Sequence, residues 1–153
     1  LDKGYTTLLN VATPGGMVQN NKEIMVDESD KLRLLELRKK YKNILRNIWN
    51  PFDKAYANIL GCNTVNRLYI TPIGDVLVCP YVHVKIGNIY EQSLKEISDY
   101  GFSIKYFHDN SDLCLAGEDH EFVSKCMQHE GQTIFNPINA KEFFTDEDYV
   151  NTH

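Results

Sequence analysis

The chain has 153 residues, 42% of them hydrophobic and 24% charged, with a formal net charge of −5 and a pI near 5.5. That is enough chain for one cored domain, or one domain plus part of another. The acidic balance argues against a nucleic-acid surface, which needs a basic patch. No segment approaches the roughly 20 apolar residues of a membrane span, and no signal peptide precedes the first apolar run.

These properties read as cytoplasmic, where cysteines stay reduced and more often serve metals or catalysis than disulfides. The first residues, Leu1-Asp2-Lys3-Gly4, lack an initiator Met and run straight into an apolar segment, as expected of a cut through a larger protein.

In chain order, Tyr5 to Val11 predicts a strand, stopped by Thr13-Pro14-Gly15-Gly16. A long helix follows, capped by Asp27 or Ser29 with Glu28 and Asp30 in or near its first turn, where the helix dipole favours acids. Leu34, Leu37, Tyr41, Ile44, Leu45 and Ile48 recur at helical spacing, opposite Arg38, Lys39, Lys42 and Arg46. Residues 1–50 therefore read as a βα unit, closed by the break at Asn50-Pro51-Phe52. A β-hairpin is predicted from about Arg67 to Cys79, turning at Thr71-Pro72-Ile73-Gly74-Asp75. Another apolar alternation leads to a Gly87-Asn88 turn. Ser93 and Glu96 then form an S-x-x-E capping box for the next helix. Residues 108–119 read as loop, about 118–128 as a short helix, and 136–153 as a polar, acidic tail.

Four cysteines, Cys62, Cys79, Cys114 and Cys126, are separated by 16, 34 and 11 residues. Any one of them could be a small buried hydrophobe, but all four fall in loops or at element ends in one stretch of chain. Structural zinc usually draws thiolates from pairs about two to four residues apart, and the sequence has no such pair, although His83, His108, His120 and His129 lie nearby. A dispersed thiolate set suits an iron–sulfur cube better, because its corners accept ligands from separate loops. His83 is most simply a surface or supporting histidine, Pro14-Gly15-Gly16 a turn, and Asp146-Glu147-Asp148 a solvated acidic run.

Cys62, eleven residues, Gly74, four residues, Cys79 resembles the opening signature of the SPASM/twitch domains that follow the barrel in radical S-adenosylmethionine (SAM) enzymes. "YITPIGDVLVCP" is similar to that family's hairpin and "IGNIYEQSLKEI" to its Gly-Asn-Ile turn and helix. The C-x₂-C-x₅-C-x₃-C run of a full SPASM domain is absent. The resemblance therefore implies the shortened twitch form, with one auxiliary 4Fe–4S cluster on Cys62, Cys79, Cys114 and Cys126.

It further implies an α+β fold: a small twitch-type domain at 51–135 (a β-hairpin, then a helix and cluster loops), preceded at 1–50 by the last βα unit of a partial α/β barrel. SAM, the CxxxCxxC motif and a second 4Fe–4S cluster would belong to the intact parent. The implied partners are that upstream radical SAM barrel and a peptide or small-molecule substrate, with neither nucleic acid nor membrane. The fragment itself is expected not to be catalytic. The competing expectation is a non-catalytic interaction module stabilised by zinc or a cluster.

Overall fold

The computed structural model describes residues 7–8, 12–14, 21–41, 45–46, 62, 64–109, 111 and 113–150. These residues form a mixed α+β structure. A two-stranded parallel pair joins β1 (Thr7–Leu8) to β2 (Leu45–Arg46), with helix α1 (Glu28–Lys40) between them in sequence. Asp27 caps α1: its carboxylate accepts the Asp30 N–H at 2.8 Å while Asp30 returns the bond to the Asp27 N–H. The helix is shorter than its apolar spacing predicts. Tyr41 ends it, and Leu45, expected on its buried face, lies in β2 instead. The strand pairing overrides helical periodicity there; Ile44, Ile48 and Asn50-Pro51-Phe52 lie outside the described residues. No barrel closure is seen among the described residues.

The second sheet has the order β3-β4-β5-β6, formed by Tyr69–Ile70, Asp75–Leu77, Val84–Asn88 and Ile138–Asn139. The β3–β4 hairpin is antiparallel, with Tyr69 opposite Leu77 and Ile70 opposite Val76. Gly74, at φ +83°, makes the turn, its N–H donating to the Thr71 carbonyl at 2.9 Å. Gly87-Asn88, predicted as a turn, belongs instead to β5, and the chain turns just after it. Helix α2 (Leu94–Ser103) starts at the expected capping box, where Ser93 and Glu96 bond reciprocally. It crosses the sheet closely at Gly101, where an added Cβ would lie 2.9 Å from both Ile86 Cδ1 and Val65 Cγ2. Short helix α3 (Lys105–His108) follows. Helix α4 (His120–Cys126) realises the predicted short helix, capped by Asp119.

The expected acidic tail is folded in. Ile138–Asn139 pairs in parallel with Val84–Lys85, followed by α5 (Ala140–Phe143) and a 3₁₀ turn at Asp146–Asp148. Burial of Ala140 and Phe144 supplies the reason, since polar composition hides the few apolar residues that dock. One core runs through the molecule, built from Val76, Val78, Val84, Ile86, Ile97, Phe107 and Phe122, and it takes in Met25 from ahead of α1. No helix among the described residues is long and apolar enough to cross a membrane.

Candidate metal centre

The hairpin returns the chain to its starting point, and two further hydrogen bonds draw the cysteine-bearing segments together. The Val65 N–H donates to the Val78 carbonyl at 3.2 Å, tying the stretch after Cys62 to the residue before Cys79. The Cys62 N–H donates to the Ser111 carbonyl at 3.0 Å, tying the same stretch to the loop that enters Cys114. Val65 adopts φ +63°, unusual for a β-branched residue, and is held there by packing against α2 at Gly101.

Three thiols thereby come within electrostatic reach of one another. Burial pushes Cys79 up to about 11 and Cys114 up to about 12, and the Cys62 sulfur adds repulsion to both. Backbone N–H groups of Tyr81 and Val82 act in the opposite direction on Cys79. Near neutral pH Cys79 and Cys114 are protonated thiols, and a bound cation would displace their protons to obtain thiolates. Among the described residues no three Cys, His, Asp or Glu side chains form a group able to hold a single metal ion. A lone zinc needs sulfurs on bonds of about 2.3 Å to one centre; a core of several irons takes thiolates set farther apart.

Cys126 is placed differently. It is fully buried on the last turn of α4, and burial pushes its thiol up to about 12, with Lys125, Asp148 and Asp119 as its charged neighbours. The buried Gln132 side chain donates to both the Cys126 carbonyl (2.9 Å) and the His83 carbonyl (3.1 Å), fastening α4 beneath the loop that leaves Cys79. Cys62, Cys79 and Cys114 all pack against the same core that contains Cys126.

Residues 62–127 match the family model of SPASM, an iron–sulfur cluster-binding domain. This segment is a SPASM domain. The match spans all four cysteines, opening on Cys62 and closing one residue beyond Cys126. No curated protein and no solved structure matches the chain significantly. SPASM domains bind auxiliary iron–sulfur clusters in radical SAM enzymes, and thiol sulfur is the donor such clusters take. The donors gathered in this SPASM domain fit that chemistry.

Sequence reasoning missed a residue beside the SPASM cysteines. Glu118 is buried, and its Oε2 accepts the Cys114 N–H at 2.8 Å. The only sequence signal was an acidic residue four positions after a cysteine in a loop. His83 is half-buried; burial lowers its pKa, and its carbonyl accepts the Ile138 N–H at 2.9 Å as β6 docks. Its visible role is structural. Pro14 is buried, while Gly15 and Gly16 lie outside the described residues. Asp148 pairs with Lys125 and accepts from Thr145, so part of the acidic run is bound into the fold.

Proposed function

We propose that this chain is the C-terminal part of a radical SAM enzyme and that its SPASM domain holds one auxiliary 4Fe–4S cluster on Cys62, Cys79, Cys114 and Cys126. The observation that carries the reading is the convergence of Cys62, Cys79 and Cys114 from three separate segments within a SPASM match. Cys126 is the fourth ligand in this reading, supported by its place in the same core and by the Gln132 bridge to the Cys79 loop. The partner is an upstream barrel of the same protein, to which residues 1–50 contribute, and the parallel β1–α1–β2 arrangement supports that assignment.

When bound, such a cluster exchanges single electrons with a neighbouring donor or acceptor. The protein's part is to hold four thiolates in fixed positions, exclude water with the surrounding core, and brace one wall of a substrate cavity. Four thiolates leave no iron open to substrate. Peptides and small molecules are the substrate classes this reading carries. None of the four cysteines lies in a CxxxCxxC spacing, so the chain alone is expected to release no 5′-deoxyadenosine from SAM.

Anaerobic reconstitution tests the reading. It should give about four iron and four sulfide per chain, with comparable loss of iron in each of the four Cys→Ala variants. Iron retained after Cys79→Ala overturns the assignment. Stoichiometric zinc without sulfide would instead identify a metal-stabilised interaction module.

A further inference from the structure

Glu118 grips Cys114 from both sides. Its Oε2 accepts the Cys114 N–H at 2.8 Å, while its own N–H donates to the Cys114 carbonyl, also at 2.8 Å. The Gly117 and Asp119 N–H groups reach the same carbonyl at 3.1 and 3.3 Å, so residues 114–119 form a closed loop whose entry point is fixed by one carboxylate. The Glu118 side chain is 0% exposed, and among the described residues Oε1 has no hydrogen-bond partner. The Lys31 ammonium lies 3.6 Å from that oxygen. Lys31 belongs to α1, is half-buried, and also bonds Glu28 at 2.8 Å. Burial of Met25 joins the start of this helical segment to the SPASM core.

A glutamine could accept the same N–H without bringing a charge into the interior. A buried ion pair contributes little net stability, because desolvation offsets its attraction. Glu118 therefore places a charge, as well as an acceptor, beside Cys114. Burial is the main cause of the raised Cys114 thiol, and the Glu118 carboxylate adds a smaller push in the same direction.

We propose that Glu118 is a positioning residue for Cys114, that Lys31 is its counter-charge, and that through this ion pair α1 sets the electrostatic field at the auxiliary cluster. The inference rests on the reading of Cys114 as a cluster ligand. A carboxylate next to a ligating thiolate disfavours the added electron of the reduced cluster and lowers its midpoint potential. Removing the charge while keeping the hydrogen bond raises it.

The test uses the full 153-residue chain, reconstituted anaerobically, with iron and sulfide analysis and an EPR-monitored redox titration. Glu118→Gln should keep its iron and shift the midpoint potential upward. Glu118→Ala, which leaves the Cys114 N–H unpartnered, should lower cluster affinity about ten-fold or more, as expected on losing a group that orients a metal ligand. Lys31→Met should weaken cluster retention by leaving a buried carboxylate unpaired; Lys31→Arg should restore it. Combining Lys31→Met with Glu118→Gln should also restore it, because the unpaired charge is gone. An unchanged potential in Glu118→Gln, or retention in Lys31→Met equal to wild type, overturns the inference while leaving the cluster assignment standing. Failure of the wild-type chain to take up iron and sulfide overturns both.

Discussion

Gly74→Ala tests whether the hairpin turn is the hinge of the metal centre. At φ +83° an alanine enters the left-handed region, which costs roughly 1–2 kcal/mol for a residue with a Cβ. The new Cβ would also lie 2.5 Å from Tyr90 Cε2 and 2.9 Å from Asn88 Oδ1. Tyr90 is 77% exposed and can swing aside at little cost. Asn88 cannot: its Nδ2 donates to the Ile73 carbonyl and to Asp75 Oδ1, and its Oδ1 accepts the Tyr90 N–H. Displacing it loses one or two of these bonds, at about 0.5–1.5 kcal/mol each. The expected total is about 1.5–5 kcal/mol, a large share of a typical domain's stability. Gly131→Ala is the control. Gly131 also has positive φ (+73°), yet among the described residues its added Cβ would meet only Asn136 Nδ2, at 3.8 Å, so backbone strain alone of about 1–2 kcal/mol should appear. Urea unfolding of both variants, read at unchanged m, measures the difference. Gly74→Ala no more costly than Gly131→Ala would refute the reasoning, because Asn88 would then contribute nothing to the turn.

Gly101→Ala should destabilise by about 1–3 kcal/mol despite alanine's better helix propensity, since the methyl overpacks against Ile86 and Val65; a stabilised variant in thermal unfolding would contradict this. Gln132→Leu strips the shared donor from two carbonyls, on Cys126 and His83, and should cost about 2–4 kcal/mol in chemical denaturation. Burial raises the Asp148 carboxyl, but Lys125 and Thr145 together hold it below its ordinary value of 3.8. Its folded pKa is depressed, so its stabilisation is present above the unfolded value and is lost as pH falls through the folded one. The stability gap between wild type and Asp148→Asn should therefore be widest near neutral pH and close below about pH 3.8, as followed by melting temperature against pH.

Local signals in the sequence carried the local structure. Asp27, the Ser93–Glu96 box and Gly74 each act through residues a few positions away, and each appears where its chemistry predicts. Elements decided by distant partners were less legible. Ile138–Asn139 follows Pro137 with no apolar alternation, and becomes a strand only because Val84 and Lys85 offer an open edge. Gly87 reads as a turn residue, yet it sits in β5 opposite Val76, where a Cβ would lie 2.7 Å from Ile97 Cγ1 on the crossing helix. At the site, the spacing of Cys62, Gly74 and Cys79 was readable as a hairpin with a cysteine at each end. The arrival of Cys114 depends on the Cys62–Ser111 hydrogen bond, and the burial of Glu118 on a helix far upstream. Neither leaves a mark in spacing.

The parallel pairing of β5 with β6 has a consequence for the order of assembly. The hairpin that brings Cys79 back toward Cys62 closes over a short span and can form early, whereas the Val84–Ile138 contact encloses a long excursion of chain containing both Cys114 and Cys126. Contacts between distant residues form against a larger closure entropy and tend to form late. During folding one half of the thiol set is thus assembled ahead of the other, and docking of the C-terminal strand confines the second half. A nascent chain would offer an early two-thiol platform, and Ile138–Asn139 would act as the door that shuts on it.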